Sequence, residues 1–490
     1  MSMPNRSLAF LLTFAAASAA VAQNGRPVAF TNARLVTISG AVIERGTMVV
    51  KNGKIEAVGA DVVAPPGARI VDATGKTILP GLVSALSRAG LAGPAPRMEE
   101  QAGGGRRRGG MPMPAMGGGG GGTQNKAATK IVDGLYAKQP VFGELLRLGI
   151  TSLALTPNGG GFPGLGAVLR PDGKTVAELT ANDSAFVQIG MVRDSQTKKL
   201  LKENFEKAAK VVEERKKPPE KPPEKTATTP TGDGKPAEKP PEAKEPPKGE
   251  QPPKPPEPKP EPKPEPKPEP KPEPKPEDKP PQGQGQGAPP APAAPQRRPE
   301  QPKDPNLEVL ADLLEGKQRA IVTIDSAADL LHWQAAVADD VKFPRAVVVQ
   351  RHDMLSGTVD VVKDQLKGWQ CPVLLPLDLA TLPRSRTLIH PAKQLSDAGI
   401  EIGFVLGDNA PTVRFLFYRL MELVRYGLPA DVALKGVTLV PAKALGLDKK
   451  VGTLEVGKNA DFLLFQGDPL TPSGRLESVW LGGHEVPQQP

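Results

Sequence analysis

Ala320-Ile-Val-Thr-Ile324 and Ala346-Val-Val-Val-Gln350 are continuous apolar, β-prone runs with a helical pattern between them. Runs of the same kind stand at Ile150-Thr-Ser-Leu-Ala-Leu155, Ala185-Phe-Val-Gln-Ile189, Val373-Leu-Leu375 and Ile402-Gly-Phe-Val-Leu406. A strand that is apolar throughout is buried on both faces, as in a parallel sheet covered by helices. One covering helix is explicit, because Val413, Leu416, Phe417, Leu420 and Val424 fall at spacings of three and four. Repeated strand–helix units in this number predict an α/β fold, a TIM-like (β/α)8 barrel over an open doubly wound sheet.

Outward from these runs, both chain ends read as β structure. Val28 to Val36 and Thr47 to Val58 are β-prone, and Asn52-Gly53 between two such runs signals a tight hairpin. At the far end, Val451-Gly-Thr-Leu-Glu-Val-Gly-Lys458, Ala460-Asp-Phe-Leu-Leu-Phe465 and Leu476 to Leu481 are strand-like, with a Gly482-Gly483 turn before His484-Glu485-Val486. Two segments carry too little apolar surface to offset their ordering entropy and are expected to be disordered. Residues 93–124 are rich in Gly, Arg and Met, and residues 216–305 are rich in Pro, Lys and Glu with Pro-Glu-Pro-Lys repeats. The second lies between two helical patterns, so it is an insert within the barrel portion and not a linker between domains.

The net charge of +9 is modest, and no basic helix or RNA-binding signature accompanies it, so no nucleic-acid partner is expected. One cysteine, Cys371, excludes an internal disulfide; beside Pro372 and an apolar run it reads as a buried structural thiol. Arg6, the apolar run Leu8 to Ala20 and the small-x-small triplet Ala20-Val21-Ala22 read as a signal peptide over 1–22, with the mature chain starting near Gln23. That run is too short to span a bilayer, so no membrane span is expected after cleavage and the protein is expected in the periplasm or secreted.

The two ends together resemble the amidohydrolase superfamily, most closely its imidazolonepropionase-like and periplasmic metal-dependent group. The residues that carry the resemblance are Val71-Asp-Ala-Thr-Gly-Lys-Thr-Ile-Leu-Pro-Gly-Leu-Val83, Pro441-Ala-Lys-Ala-Leu-Gly-Leu447, Val451 to Asp461 and Gly467-Asp468-Pro469. Leu148-Gly-Ile-Thr-Ser152 and Gly159 to Leu169 resemble the second barrel strand and its Gly-rich loop. The resemblance implies a composite β-sandwich, 23–79 plus 448–490, around a barrel of 80–447.

It also implies a site. Active relatives carry a His-x-His pair at the end of strand one, and His or Asp near the ends of strands five, six and eight. Together these bind zinc or another divalent metal, which activates a water for attack on a carbonyl. Here Leu86 and Arg88 stand in the pair; Thr323 and Asp325 stand on strand five, Arg351 on strand six and Asn409 on strand eight. A one-residue slip would replace Asn409 by Asp408. Of the four histidines, only His352, followed by Asp353, is placed to face the barrel mouth. His352, Asp353 and Asp408 are therefore the candidate residual site, no catalytic or metal-ligating residue is assigned, and no cofactor is expected.

Three functions compete. The first is an exported amidohydrolase-like barrel, without the family's hydrolysis of non-peptide C–N bonds, that acts as a binding or scaffold module. Arg88, Arg351 and the Arg-rich loop at its mouth favour an anionic small molecule. The second is an active hydrolase with a rebuilt site. The third is a structural envelope protein whose Pro-rich arm meets another cell-envelope component. The oligomeric state is left open.

Overall fold

The computed structural model describes residues 25–91, 125–191, 194–216, 303–337, 341–350, 359–382 and 384–488. The expected signal peptide, the 93–124 loop and, from 217 to 302, the Pro-rich tract lie outside the described residues. Strands β1 (Val28–Leu35), β2 (Ile43–Lys51), β3 (Lys54–Gly59), β4 (Arg69–Asp72) and β5 (Lys76–Pro80) open the chain. Then come β6 (Leu82–Ser87), β7 (Ile150–Leu155), β8 (Gly161–Leu169), β9 (Thr180–Gly190), β10 (Ala320–Ile324), β11 (Arg345–Val349) and β12 (Val373–Pro376). The small hairpin β13 (Ala380–Thr381) and β14 (Leu388–Ile389) precedes β15 (Ile402–Val405), and β16 (Phe462–Gln466), β17 (Arg475–Leu481) and β18 (His484–Glu485) close the chain.

Both ends meet in one eight-stranded sheet of order β18-β17-β16-β5-β1-β2-β3, with β4 also paired to β1. The expected Asn52-Gly53 hairpin joins β2 to β3, and both residues have left-handed backbone, φ +50° and +74°. This sheet is strongly rolled. β16 and β5 lie between β17 and β1, a separation of roughly 14 Å in a flat sheet, yet the rings of Phe30 and Trp480 are 4.9 Å apart. Phe462 stacks on Trp480 at 5.5 Å and meets Phe30 edge-on at 5.1 Å. The sequence expects a sandwich of strands from both ends; the pairing makes one continuous sheet rolled around these rings.

The second eight-stranded sheet has the order β15-β12-β11-β10-β9-β8-β7-β6, and β15 comes back against β6, so it forms a nearly closed barrel. Inward residues such as Val83, Ala154, Phe186, Ile321, Val348 and Leu374 fill it, and Ala442, Leu445 and Val451 plug the end where the strands begin. The alternate positions, among them Leu155, Ile189, Val322 and Val347, face the helices.

Three elements depart from the expectation, and the first is Val451 to Lys458, which forms bends and turns and not a strand. Gly161–Leu169 is not a loop but β8, antiparallel to both β7 and β9. The reason is geometric: the connection 156–160 is far shorter than the dozen or so residues a parallel crossover needs. The glycines serve close packing, since a Cβ on Gly166 would lie 2.1 Å from the Phe186 ring. The helix expected from Val413 to Val424 is two helices, Ala410–Val413 and Leu416–Arg425. The ladder breaks at Phe415, whose N–H turns back to the Thr412 carbonyl at 3.4 Å. Among the described residues, no helix is long and apolar enough to cross a membrane.

The ends of the Pro-rich tract are held together. Helix Ser195–Lys216 packs on helix Pro305–Leu314. Arg215 forms ion pairs with Glu308, with Asp312 at 2.8 Å and with Glu315 at 2.8 Å. Glu315 stands just before β10, so this clamp lies toward the start of the strands and away from the barrel mouth. Replacing 219–301 by a short Gly/Ser linker is therefore expected to shift Tm by less than about 3 °C, because loop-closure cost varies only logarithmically with length. Loss of a cooperative melt would contradict this.

His390 is the N-cap residue of helix Pro391–Asp397; its Nδ1 accepts from Lys393 N at 3.2 Å and its Nε2 meets the Leu423 carbonyl at 3.1 Å. The ring is thus neutral, and burial pushes its pKa below the ordinary value. Its folded pKa is depressed, so its contribution to stability is fully present above about pH 6.5 and is lost as pH falls through the folded value. His390→Asn keeps a capping oxygen without the titration. Comparing melts at about pH 7.5 and about pH 5, the acid-induced loss in Tm should be smaller in the variant than in the wild type; equal losses would exclude this role.

Candidate functional site at the barrel mouth

The site is built where the inward positions of the barrel strands reach their C-terminal ends. In sheet order from β6, strands one, five, six and eight are β6, β10, β11 and β15. β6 carries a register irregularity between Ser84 and Ser87. Within it, Leu86 packs against the barrel interior, while the buried Ser87 uses its Oγ to accept from Ala89 N at 3.0 Å. Arg88 is exposed at the rim, and its backbone N lies 3.4 Å from Asp408 Oδ2.

On β10, Thr323 is buried and inward. Its Oγ1 accepts from Gln188 Nε2 at 3.0 Å and donates to the Ile189 carbonyl at 3.3 Å. Asp325 is half-buried just past β10, and its backbone N donates to Asp329 Oδ2 at 2.9 Å. With Ser326, Asp329 also forms the capping box of helix Ala327–Ala336. Gln350 ends the described part of strand six, and Arg351, His352 and Asp353 lie outside the described residues.

Strand eight resolves into two roles. Asn409 caps helix Ala410–Val413, its Oδ1 accepting from Thr412 N at 3.0 Å and from Thr412 Oγ1 at 2.9 Å. Asp408 is the residue that reaches strand one. The structure thus brings Arg88 to Asp408 and Gln188 to Thr323, and it commits Asn409 to local structure.

Two residues were missed by the sequence reading. Gln188 Oε1 and Thr156 Oγ1 are buried with no partner among the described residues. Gln188 is 1% exposed, on an inward position of β9, and Thr156, 3% exposed, follows β7. The available signal was a glutamine inside the apolar run Ala185 to Ile189. A buried amide oxygen without a donor is costly, so it marks a place for a ligand N–H or a water.

Among the described residues, the groups at these positions do not make up a hydrolytic zinc set. Leu86 has no donor atom, Arg88 is a fixed cation, Thr323 offers a neutral hydroxyl already engaged, and Asp408 supplies a carboxylate at the rim. Among the described residues no group of three or more His, Cys, Asp or Glu could hold a metal ion.

The family model described as the amidohydrolase family matches residues 326–486. Residues 326–486 thus resemble an amidohydrolase-family domain. The chain is 31% identical over 134 residues to an imidazolonepropionase of Sphingopyxis alaskensis, covering 25% of this chain and 33% of the relative. An imidazolonepropionase of Shewanella baltica is 36% identical over 115 residues, covering 23% and 27%. The matched stretch thus spans a third or less of those relatives. A solved amidohydrolase from Thermotoga maritima aligns over 94% of this chain and 99% of its own, at 21% identity and a TM-score of 0.63, which speaks for the fold.

The division of labour on strand eight is testable. Asn409→Ala is expected to cost about 0.5–1 kcal/mol of stability, the usual effect of losing an N-cap. Asp408→Asn, which keeps shape but removes the charge, should leave that cap intact. A chemical-denaturation series in which Asp408→Asn is the more destabilised variant would reverse the two roles.

Proposed function

We propose that this amidohydrolase barrel acts as a binding module for a small anionic ligand at its mouth and has lost metal-dependent hydrolysis. The amidohydrolase-family match over residues 326–486 supports hydrolysis in general, and the loss of catalysis is our inference from the site. The observation that carries it is Leu86. Its side chain packs into the apolar interior beside β6, at the position where the resemblance calls for a ligand imidazole. Arg88 adds a fixed positive charge at the same rim, which attracts an anion and opposes a divalent cation. Gln188 Oε1 and Thr156 Oγ1 provide neutral acceptors deeper in, suited to an N–H or O–H of the same ligand. The expected signal peptide places this activity in the periplasm or outside the cell.

Elemental analysis of the purified full chain tests the reading. The expected result is less than about 0.1 equivalent of zinc, manganese or nickel, and no hydrolysis of dipeptides, hydantoins or lactams above background after metal supplementation. The double substitution Leu86→His with Arg88→His should restore neither metal nor activity, because Thr323 and the strand-eight groups remain unchanged. Near-stoichiometric metal that is lost in Asp408→Ala or His352→Ala would overturn the proposal in favour of a rebuilt hydrolytic site.

A further inference from the structure

A concave site lies at the end of the barrel away from the mouth. A cleft of about 670 Å³ opens where β10, β11 and β12 begin. That volume is in the range of small-molecule sites. Its walls include Trp333, Phe343 and Trp369, and its cations include Arg345 and Lys342.

Arg345 is the central feature. It begins β11 on an outward position, half-buried, and its guanidinium carbon lies 4.6 Å from the Trp369 ring centroid and 4.9 Å from that of Phe343. Two rings attract a cation but accept no in-plane hydrogen bond from its five donors. Among the described residues no carboxylate or carbonyl accepts from Arg345. The adjacent Cys371 adds no counter-charge, because burial pushes its thiol up to about 11.

Among the described residues, Arg319, Glu401 and Lys443 at the cleft are already engaged. Arg319 donates to the carbonyls of Lys443 at 2.7 Å and Ala444 at 3.3 Å, and Lys443 pairs with Glu401 at 2.5 Å. Gln365 spends its Nε2 on Gln334 at 2.8 Å and keeps a buried Oε1 without a partner. The cleft therefore offers a desolvated planar cation, apolar aromatic walls and one neutral acceptor.

We propose that this cleft binds a small organic carboxylate that also carries a hydroxyl or N–H donor, the carboxylate on the Arg345 fork and the donor toward Gln365. The rings hold the guanidinium plane in place, so little order is lost on binding. The site is independent of the barrel mouth and of whether the mouth retains hydrolysis.

Calorimetric titration of the full chain with 4-hydroxybenzoate and with its neutral counterpart 4-hydroxybenzamide tests this. The carboxylate is expected to bind at least about tenfold tighter than the amide, the usual value of a charged hydrogen-bonded pair. Arg345→Gln should remove about that factor, Lys342→Glu should weaken binding by less, and Asn409→Ala should leave it unchanged. Equal affinity for the two compounds, the absence of saturable binding, or wild-type affinity in a cooperatively folded Arg345→Gln would each overturn the proposal. Should Arg345→Gln fail to fold, the two-compound comparison and Lys342→Glu decide it.

Discussion

The antiparallel pairing of β5 with β16 closes the chain on itself. Leu79 lies opposite Leu463 and Ile78 opposite Leu464, so residues from the two ends share one ladder. Immediately after β5 the backbone enters β6 of the barrel through Gly81, whose N–H bonds to the Asp461 carbonyl at 2.9 Å. A side chain at Gly81 would meet Thr151 Oγ1 at 2.2 Å, so the passage from one sheet to the other needs this glycine. Everything between the two ends is thereby a loop closed by one strand pair, and the start of the barrel is fixed against the rolled sheet. An ion pair on the same seam, the partly exposed Arg170 with the buried Asp461 at 2.8 Å, ties β8's end to β16's start.

From that fixed start, the direction of each side chain at the mouth follows by strand alternation. Inward and outward positions alternate along every barrel strand, so a single irregularity changes which residue faces the interior. The shift between Ser84 and Ser87 on β6 does this, sending Leu86 inward and Ser87 into a local turn. On β9 and β10 the undisturbed alternation sets Gln188 beside Thr323. The two barrel ends then differ in kind. One is plugged by Ala442, Leu445 and Val451, while the other ends in neutral polar groups with Arg88 and Asp408 at its rim.

The clamp at Arg215 and the cleft at Arg345 show the same guanidinium in two settings. Arg215 meets three carboxylates on one neighbouring helical segment and is held firmly charged by them. Arg345 meets aromatic rings, and its burial without a carboxylate lowers its pKa from the ordinary value. The first arrangement is complete within the fold. The second leaves hydrogen-bonding capacity facing a cavity.

The sequence by itself determined the strand runs, because an apolar stretch such as Ala346 to Gln350 has few ways to be buried other than inside a covered sheet. It also determined the Asn52-Gly53 hairpin, because left-handed backbone at both positions strongly favours such residues. The ends of strands five, six and eight were placed by the same runs. What it did not determine was which neighbour each side chain meets. The antiparallel course of β8 depended on a connection too short for a crossover, while its glycines read as a loop. The choice between Asp408 and Asn409 depended on which one the next helix takes as its cap. The pairing of Gln188 with Thr323 and the rings around Arg345 join residues remote in sequence. Such contacts arise only when the barrel closes, because periodicity fixes the face a residue occupies but not the residue that faces it.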